Sequence, residues 1–306
     1  MAISNNSRGI LYMVVAMATF TLNDTFMKLA TETVPLSQAI AVRGTLTVLA
    51  LLLLARVMGV KGQALSVTDR KLLGWRTFAE VGGTITFLLA LRQMPLANIS
   101  AILQSLPLAV TLAAAVLLKE PVGWRRMTAI LVGFCGVMMI VRPGTEGFNI
   151  WSILALISVG FIVLRDLSTR QVGAHIPSVV IALYSAVAVT IMGYAGLALE
   201  SWRILSVTET LMVASAAGIL ILGYMFSVMA MRVGDVAIIA PFRYTSLIVA
   251  IFLGWFVFDT LPGLWTVVGA VVVVATGLYT YLRENQLHRR IVASKSSLTG
   301  TATADR

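Results

Sequence analysis

From residue 9 to residue 282 the sequence is a succession of apolar runs, each close to 20 residues long, broken by short turn-forming pieces. A hydrocarbon core of roughly 30 Å, crossed at about 1.5 Å per residue, asks for about 20 apolar residues per helix. Ten such segments can be read, at about 9–30, 36–58, 72–91, 96–118, 124–141, 150–168, 177–199, 208–230, 236–258 and 263–282. A closed β-barrel is the other way to satisfy backbone groups in lipid. Its strands would be about 10 residues long with alternating character, and these runs are continuous. With 58 % hydrophobic residues, 12 % charged and a mean hydropathy of +0.92, the chain carries about half the charged share of a soluble domain. The sequence specifies an all-α integral membrane protein.

The connecting pieces, "TETVP" (31–35), "RQMP" (92–95), "KEPVG" (119–123), "RPGTEG" (142–147) and "DTLPG" (259–263), are short enough to make neighbouring helices antiparallel. With the N-terminus placed in the cytoplasm, sixteen of the 23 Lys and Arg fall in inside loops and tails and four outside; Arg43, Arg76 and Arg243 lie within helices. That asymmetry predicts cytoplasmic termini in a bacterial-type inner membrane. The net charge of +10 then needs no nucleic-acid partner, since no basic patch with interleaved aromatics lies outside the spans. The first helix has no A-x-A cleavage pattern and is expected to stay on the protein. Cys135 stands alone, and His175 and His288 lie far apart in loop and tail, so neither a disulfide framework nor a metal site is expected. The small, polar end reads as a disordered cytoplasmic tail over 284–306.

An internal repeat organises the whole. "LNDTFMKLATETVP" (22–35) and "LRDLSTRQVGAHIP" (164–177) superimpose at a spacing of 142, matching Asp24 with Asp166, Lys28 with Arg170 and Pro35 with Pro177. "LRQMPLANIS" (91–100) and "MRVGDVAIIA" (231–240) superimpose at 140, matching Arg92 with Arg232 and Ala97 with Ala237. Each half, 8–144 and 148–283, therefore holds five helices. An odd number inverts the second half relative to the first. The prediction is ten transmembrane helices as two inverted five-helix repeats, an arrangement that secondary transporters use to alternate access around a site near the midplane.

"LLKEPVGWRRMTAILVGFCGVMMIVRPG" (117–144), its counterpart "VFDTLPGLWTVVGAVVVVATGLYTYL" (257–282) and the repeat together resemble the EamA-type members of the drug/metabolite transporter superfamily, over about residues 8–283. The chain departs from that pattern at Asp259-Thr260, where many relatives carry a Glu one place on. "LANISAILQSLPLAVTLAAAVLLKEPVGWRR" (96–126) and "APFRYTSLIVAIFLGWFVFDTLP" (240–262) look most like a subgroup that includes importers of riboflavin and of S-adenosylmethionine. The resemblance implies a central cavity lined mainly by the first, third, fourth, sixth, eighth and ninth spans.

Candidate site residues are the polar groups that fall inside spans, where charge is costly and usually faces a cavity or a partner. Arg243, one to two turns into the ninth span, either snorkels to the headgroups, joins a structural ion pair, or lines the cavity and meets an anionic or carbonyl group beside Tyr244, whose ring can stack on a flat ligand. Glu80 follows Arg76 by four residues on one helix face; it forms an intrahelical pair or binds a proton or a cationic group. Asn23 and Asp24 are the repeat mates of Arg165 and Asp166. The pairs Asp24 with Lys28 and Asp166 with Arg170 account for the charges structurally, and gating or binding is the alternative. Gln104 and Ser105 precede Pro107, which frees a backbone carbonyl in mid-helix; this is a kink or a ligand contact. Tyr224, Trp75 and Phe87 could form an aromatic wall or simply pack, and Arg43 reads as structural.

No H-E-x-x-H, G-x-S-x-G or G-x-x-x-x-G-K-[ST] pattern is present, which argues against an enzyme, a bound cofactor and an ATP-hydrolysing module. The expectation is a secondary transporter of a small polar organic metabolite, driven by a proton or a counter-substrate. Uptake of riboflavin or S-adenosylmethionine heads the readings, export of amino acids or related metabolites follows, and a membrane sensor or scaffold is the distant one. Small residues in "TLAAAVLL" (111–118) would serve close helix packing in one chain or in a homodimer.

Overall fold

The computed structural model describes residues 5–60, 65–119, 122–143, 149–173, 175–233 and 236–301, without the side chains of 231, 232, 236, 237 and 284–301. Lys61, Glu120 with Pro121, most of the 142–147 turn and the side chain of Arg232 fall outside that description. Twelve α-helices follow one another among the described residues: α1 (Asn5–Thr33), α2 (Leu36–Val57), α3 (Val67–Gln93), α4 (Leu96–Leu103), α5 (Leu106–Leu117), α6 (Trp124–Val141), α7 (Ile150–Gln171), α8 (Ser178–Ala195), α9 (Val207–Val233), α10 (Val236–Ile239), α11 (Thr245–Phe258) and α12 (Leu264–Thr301). No strand occurs among these residues. Among the described residues, nine helical segments, α4–α5 counted as one, are long and apolar enough to cross a membrane. The protein is an all-α, multi-pass membrane protein. Helix α3 is 27 residues long but falls outside those nine, because Arg76 and Glu80 sit in the stretch that would cross.

Prolines set the helix starts. Pro35, Pro95 and Pro177 each stand immediately before a helix, at φ of −51°, −56° and −61°, where a missing N–H costs nothing. Mid-span, the same residue interrupts. Pro107 enters the first turn of α5, and the chain turns at Gln104–Ser105 between α4 and α5. Pro241 lies within a 3₁₀ stretch, Ala240–Tyr244, ahead of α11. Lys119 and Asp259, each just beyond a helix end, take left-handed φ of 56° and 49°. The departure at Asp259 therefore leaves the turn geometry alike at both places.

The packing pairs α1 with α9, α3 with α7, α2 with α8 and α6 with α12. Helices α6 and α12 touch backbone to backbone: a Cβ on Gly136 would meet the Gly269 carbonyl oxygen at 2.8 Å. The main buried cluster runs through the helices around Met27, Leu91, Leu96, Ile102, Leu108 and Val163. Helix α12 continues past the apolar run of its span to Thr301.

Candidate functional site

Six charged side chains from four helices gather inside the spans. Glu80, at the middle of α3, stands 3.6 Å from Arg76 and 3.5 Å from Arg165 of α7. Arg165 also holds Asp166 at 2.9 Å. Arg76 spends its remaining donors on Thr169 of α7, at 2.9 Å, and on the Ser185 hydroxyl of α8. Toward α1, Asn23 donates to Asp24 at 2.9 Å, and Arg43 of α2 donates to the Asn23 carbonyl at 3.4 Å. Asp24 is the principal counter-charge of Arg43, and the Tyr224 hydroxyl of α9 lies in the field of Arg43, Arg76, Glu80 and Arg165. Three guanidiniums thus face three carboxylates. In a low dielectric that balance is what lets the group persist, since a lone buried charge costs several kcal/mol.

The cluster is not sealed. Asp166 is 39 % exposed and Tyr224 48 %. Tyr224 meets Phe20 of α1 edge to face, at 5.4 Å between centroids.

One structural pairing expected from the sequence does not form as read. Lys28 turns away from Asp24: its ammonium donates to the carbonyls of Leu91 (2.7 Å), Met94 (2.8 Å) and, longer, Arg92 (3.3 Å), and lies 5.5 Å from the Phe258 ring centroid. The carbonyls left over at the end of α3 attract the cation more effectively than a carboxylate one turn back on α1. Asp166 meets its neighbour Arg165, across adjacent residues. Arg43, read as structural, is a member of the cluster; its position in α2 carried no partner at helical spacing that would have revealed this.

The remaining candidates lie apart. Gln104 donates to the Ser246 hydroxyl at 2.8 Å, which in turn donates to the Arg243 carbonyl at 3.0 Å. Ser105 is buried and caps the Ile102 carbonyl at 2.7 Å, so it serves the bend itself. Tyr244 reaches α12, where its hydroxyl occupies the space a Cβ on Gly277 would need. The Arg243 side chain is exposed and makes no hydrogen bond or ion pair among the described residues. Trp75 is exposed at 57 % and packs on Phe78, while Phe87 lies against the main core. No group of three or more His, Cys, Asp or Glu with metal-binding geometry exists among the described residues.

Residues 7–142 match the EamA-like transporter family. An S-adenosylmethionine uptake transporter of Rickettsia conorii is 27 % identical over 201 residues, 64 % of this chain and just under two thirds, 66 %, of that protein. A riboflavin transporter of Vibrio cholerae is 28 % identical over 71 % of this chain and 74 % of its own. A pseudopaline exporter of Pseudomonas aeruginosa is 26 % identical over 276 residues, 87 % of this chain and 93 % of its own. A solved crystal structure shares the fold at a TM-score of 0.59 with 17 % identity, covering 88 % of this chain and 96 % of that one.

Proposed function

Because residues 7–142 match the EamA-like transporter family, we propose that this chain is a transporter of that kind, moving a small polar organic metabolite across a bacterial inner membrane by secondary active transport. The single observation that carries the reading is the balanced cluster of Asp24, Arg43, Arg76, Glu80, Arg165 and Asp166 inside the spans, half-open beside Tyr224. An accessible opening lined by paired charges offers a polar solute partners to exchange with, whereas a purely structural network needs no access from outside. The exposed faces of Tyr224 and Asp166 are proposed to line a central cavity, with Asn23, Gln104, Tyr244 and Arg243 around it. Ser105 supports the bend. Glu80, Asp24 and Asp166 are the groups proposed to carry a proton or to gate.

Ten spans in two inverted repeats, 8–144 and 148–283, are part of this proposal. Its support is that the helix pairing is unchanged when the halves are exchanged: α1 on α9 mirrors α7 on α3, while α2–α8 and α6–α12 map onto themselves. The bend at Gln104 and the 3₁₀ stretch ending at Tyr244 stand 140 apart, as do the left-handed residues Lys119 and Asp259. Counting α3 as a span despite its charges gives the tenth helix. Cytoplasmic termini follow from the distribution of Lys and Arg.

Uptake of S-adenosylmethionine or riboflavin is the leading substrate reading, supported by the relatives of those names. Export is the second, favoured by a relative that aligns over 87 % of this chain. The test is a counterflow panel in proteoliposomes with labelled S-adenosylmethionine, riboflavin, amino acids and carboxylates. Saturable exchange of one compound supports the reading, and protein-independent leakage of all of them refutes it for those classes.

A further inference from the structure

Away from the charge cluster, polar contacts tie the two halves of the chain together at opposite ends of the bundle, and each set is organised around one helix-capping carboxylate. At the start of α9, Glu209 follows Ser206 by three residues. The Glu209 N–H donates to the Ser206 hydroxyl at 3.2 Å, and the Ser206 N–H donates to the Glu209 carboxylate at 2.9 Å, a reciprocal capping box. The same carboxylate reaches across to the first half. It accepts the Thr33 hydroxyl at 2.6 Å and binds the Arg203 guanidinium, which also donates to the Thr33 carbonyl at 3.1 Å. Alongside, Glu200 accepts the Ser37 N–H at 2.8 Å and its hydroxyl at 2.5 Å.

At the start of α3, Asp69 follows Ser66 by three residues in the same pattern. Its N–H donates to the Ser66 hydroxyl at 3.0 Å, and that hydroxyl donates back to the carboxylate at 2.6 Å. Its other oxygen crosses to the second half and accepts the Gly173 N–H at 3.1 Å, while His175 Nε2 stands 3.6 Å from the oxygen that Ser66 bonds. Ser66 and Ser206 stand 140 apart, as do Asp69 and Glu209, the offset of the internal repeat. The two sets lie at opposite ends: Lys28 holds the ends of α1 and α3 together, so Thr33 sits beside Met94 while Asp69 is a helix length away.

A carboxylate that only capped its own helix would not need a partner from the other half. We propose that Asp69 and Glu209 are alternating latches: each closes its end of the transport path by bonding the opposite half and lets go when that end opens, while the other stays shut. The proposal rests on the transporter reading above. The Glu209 end is tied by more bonds among the described residues, including Gln38 to the Arg203 carbonyl at 2.6 Å and Trp202 to Ser37 at 3.0 Å. In this structure both carboxylates are bonded across the halves, so both latches are closed.

The test uses the full chain in oriented vesicles, with Cys135→Ser as background, Phe20→Cys beside Tyr224 as reporter, and a membrane-impermeant maleimide added from either face. Glu209→Gln keeps the cap but weakens the bonds across the halves. It should raise labelling from the Thr33 face about fivefold, the factor expected for one net hydrogen bond, and lower it from the other face. Asp69→Asn should do the reverse. Thr33→Val and His175→Ala leave both capping boxes whole and should shift labelling in the same two directions, which separates latching from helix capping. Labelling that changes equally from both faces, or not at all, overturns the latches. The readout needs no substrate, so a failure of the transporter reading would show separately, as absent counterflow.

Discussion

Replacing Lys28 with Met isolates what its ammonium contributes, because the side-chain stem and its packing are kept. Lys28 is 9 % exposed, and the Leu91 and Met94 carbonyls that it meets at 2.7 and 2.8 Å belong to residues 1 % and 6 % exposed. Water cannot readily take its place. Leaving two buried acceptors unsatisfied costs about 1–3 kcal/mol each, or about 2–6 kcal/mol together. Relief from holding an ammonium out of water returns part of this, so the net loss should be about 2–4 kcal/mol. The assay is reversible unfolding in mixed micelles followed by circular dichroism. Lys28→Arg should keep most of the stability, since a cation remains at the end of α3. The effect of Lys28→Met should add to that of Asp24→Asn within about 0.5 kcal/mol, because the two are not partners. A Lys28→Met protein within about 0.5 kcal/mol of wild type, or strong coupling to Asp24, would refute the reasoning.

Gly277→Ala sets a methyl group against the Tyr244 hydroxyl and should cost about 1–3 kcal/mol, read in the same unfolding assay; a neutral result would mean that Tyr244 moves freely. The Ser66 hydroxyl, and then the Gly173 N–H, hold the Asp69 carboxyl below its usual range, so its contribution is full above the unfolded value near 4 and is lost as pH falls through the lower folded value. Melting points measured from about pH 6 to pH 3 should fall less steeply in Asp69→Asn than in wild type, and parallel curves would count against this. Arg243→Ala should leave stability within about 0.5 kcal/mol, since its exposed side chain has no bonded partner among the described residues; a larger loss would reveal a structural role.

The helices were legible because their signal is crude and long: 20 apolar residues cannot be placed anywhere but in lipid. Helix α6 matches its apolar run, 124–141, at both ends. Arg76 and Glu80 were legible as a same-face pair, since i, i+4 spacing is a property of one helix. The contacts of Glu80 with Arg165 and of Arg43 with Asn23 join residues 85 and 20 positions apart, and no local periodicity encodes them. Lys28 was assigned to Asp24 by the same spacing argument, which fails because the exposed carbonyls of another helix compete. The two Ser-x-x-acid patterns at 66–69 and 206–209 were not singled out in the sequence; in the structure each caps its own helix. Their reach into the other half became visible only once the halves were packed.

The most direct test of the account is counterflow in proteoliposomes with wild type and Glu80→Gln side by side, after insertion and unfolding controls. Removing the carboxylate shared by Arg76 and Arg165 should abolish saturable exchange, or lower it by at least about tenfold, a barrier increase of about 1.4 kcal/mol. Equal exchange by the two proteins would contradict the claim that this cluster lies on the transport path.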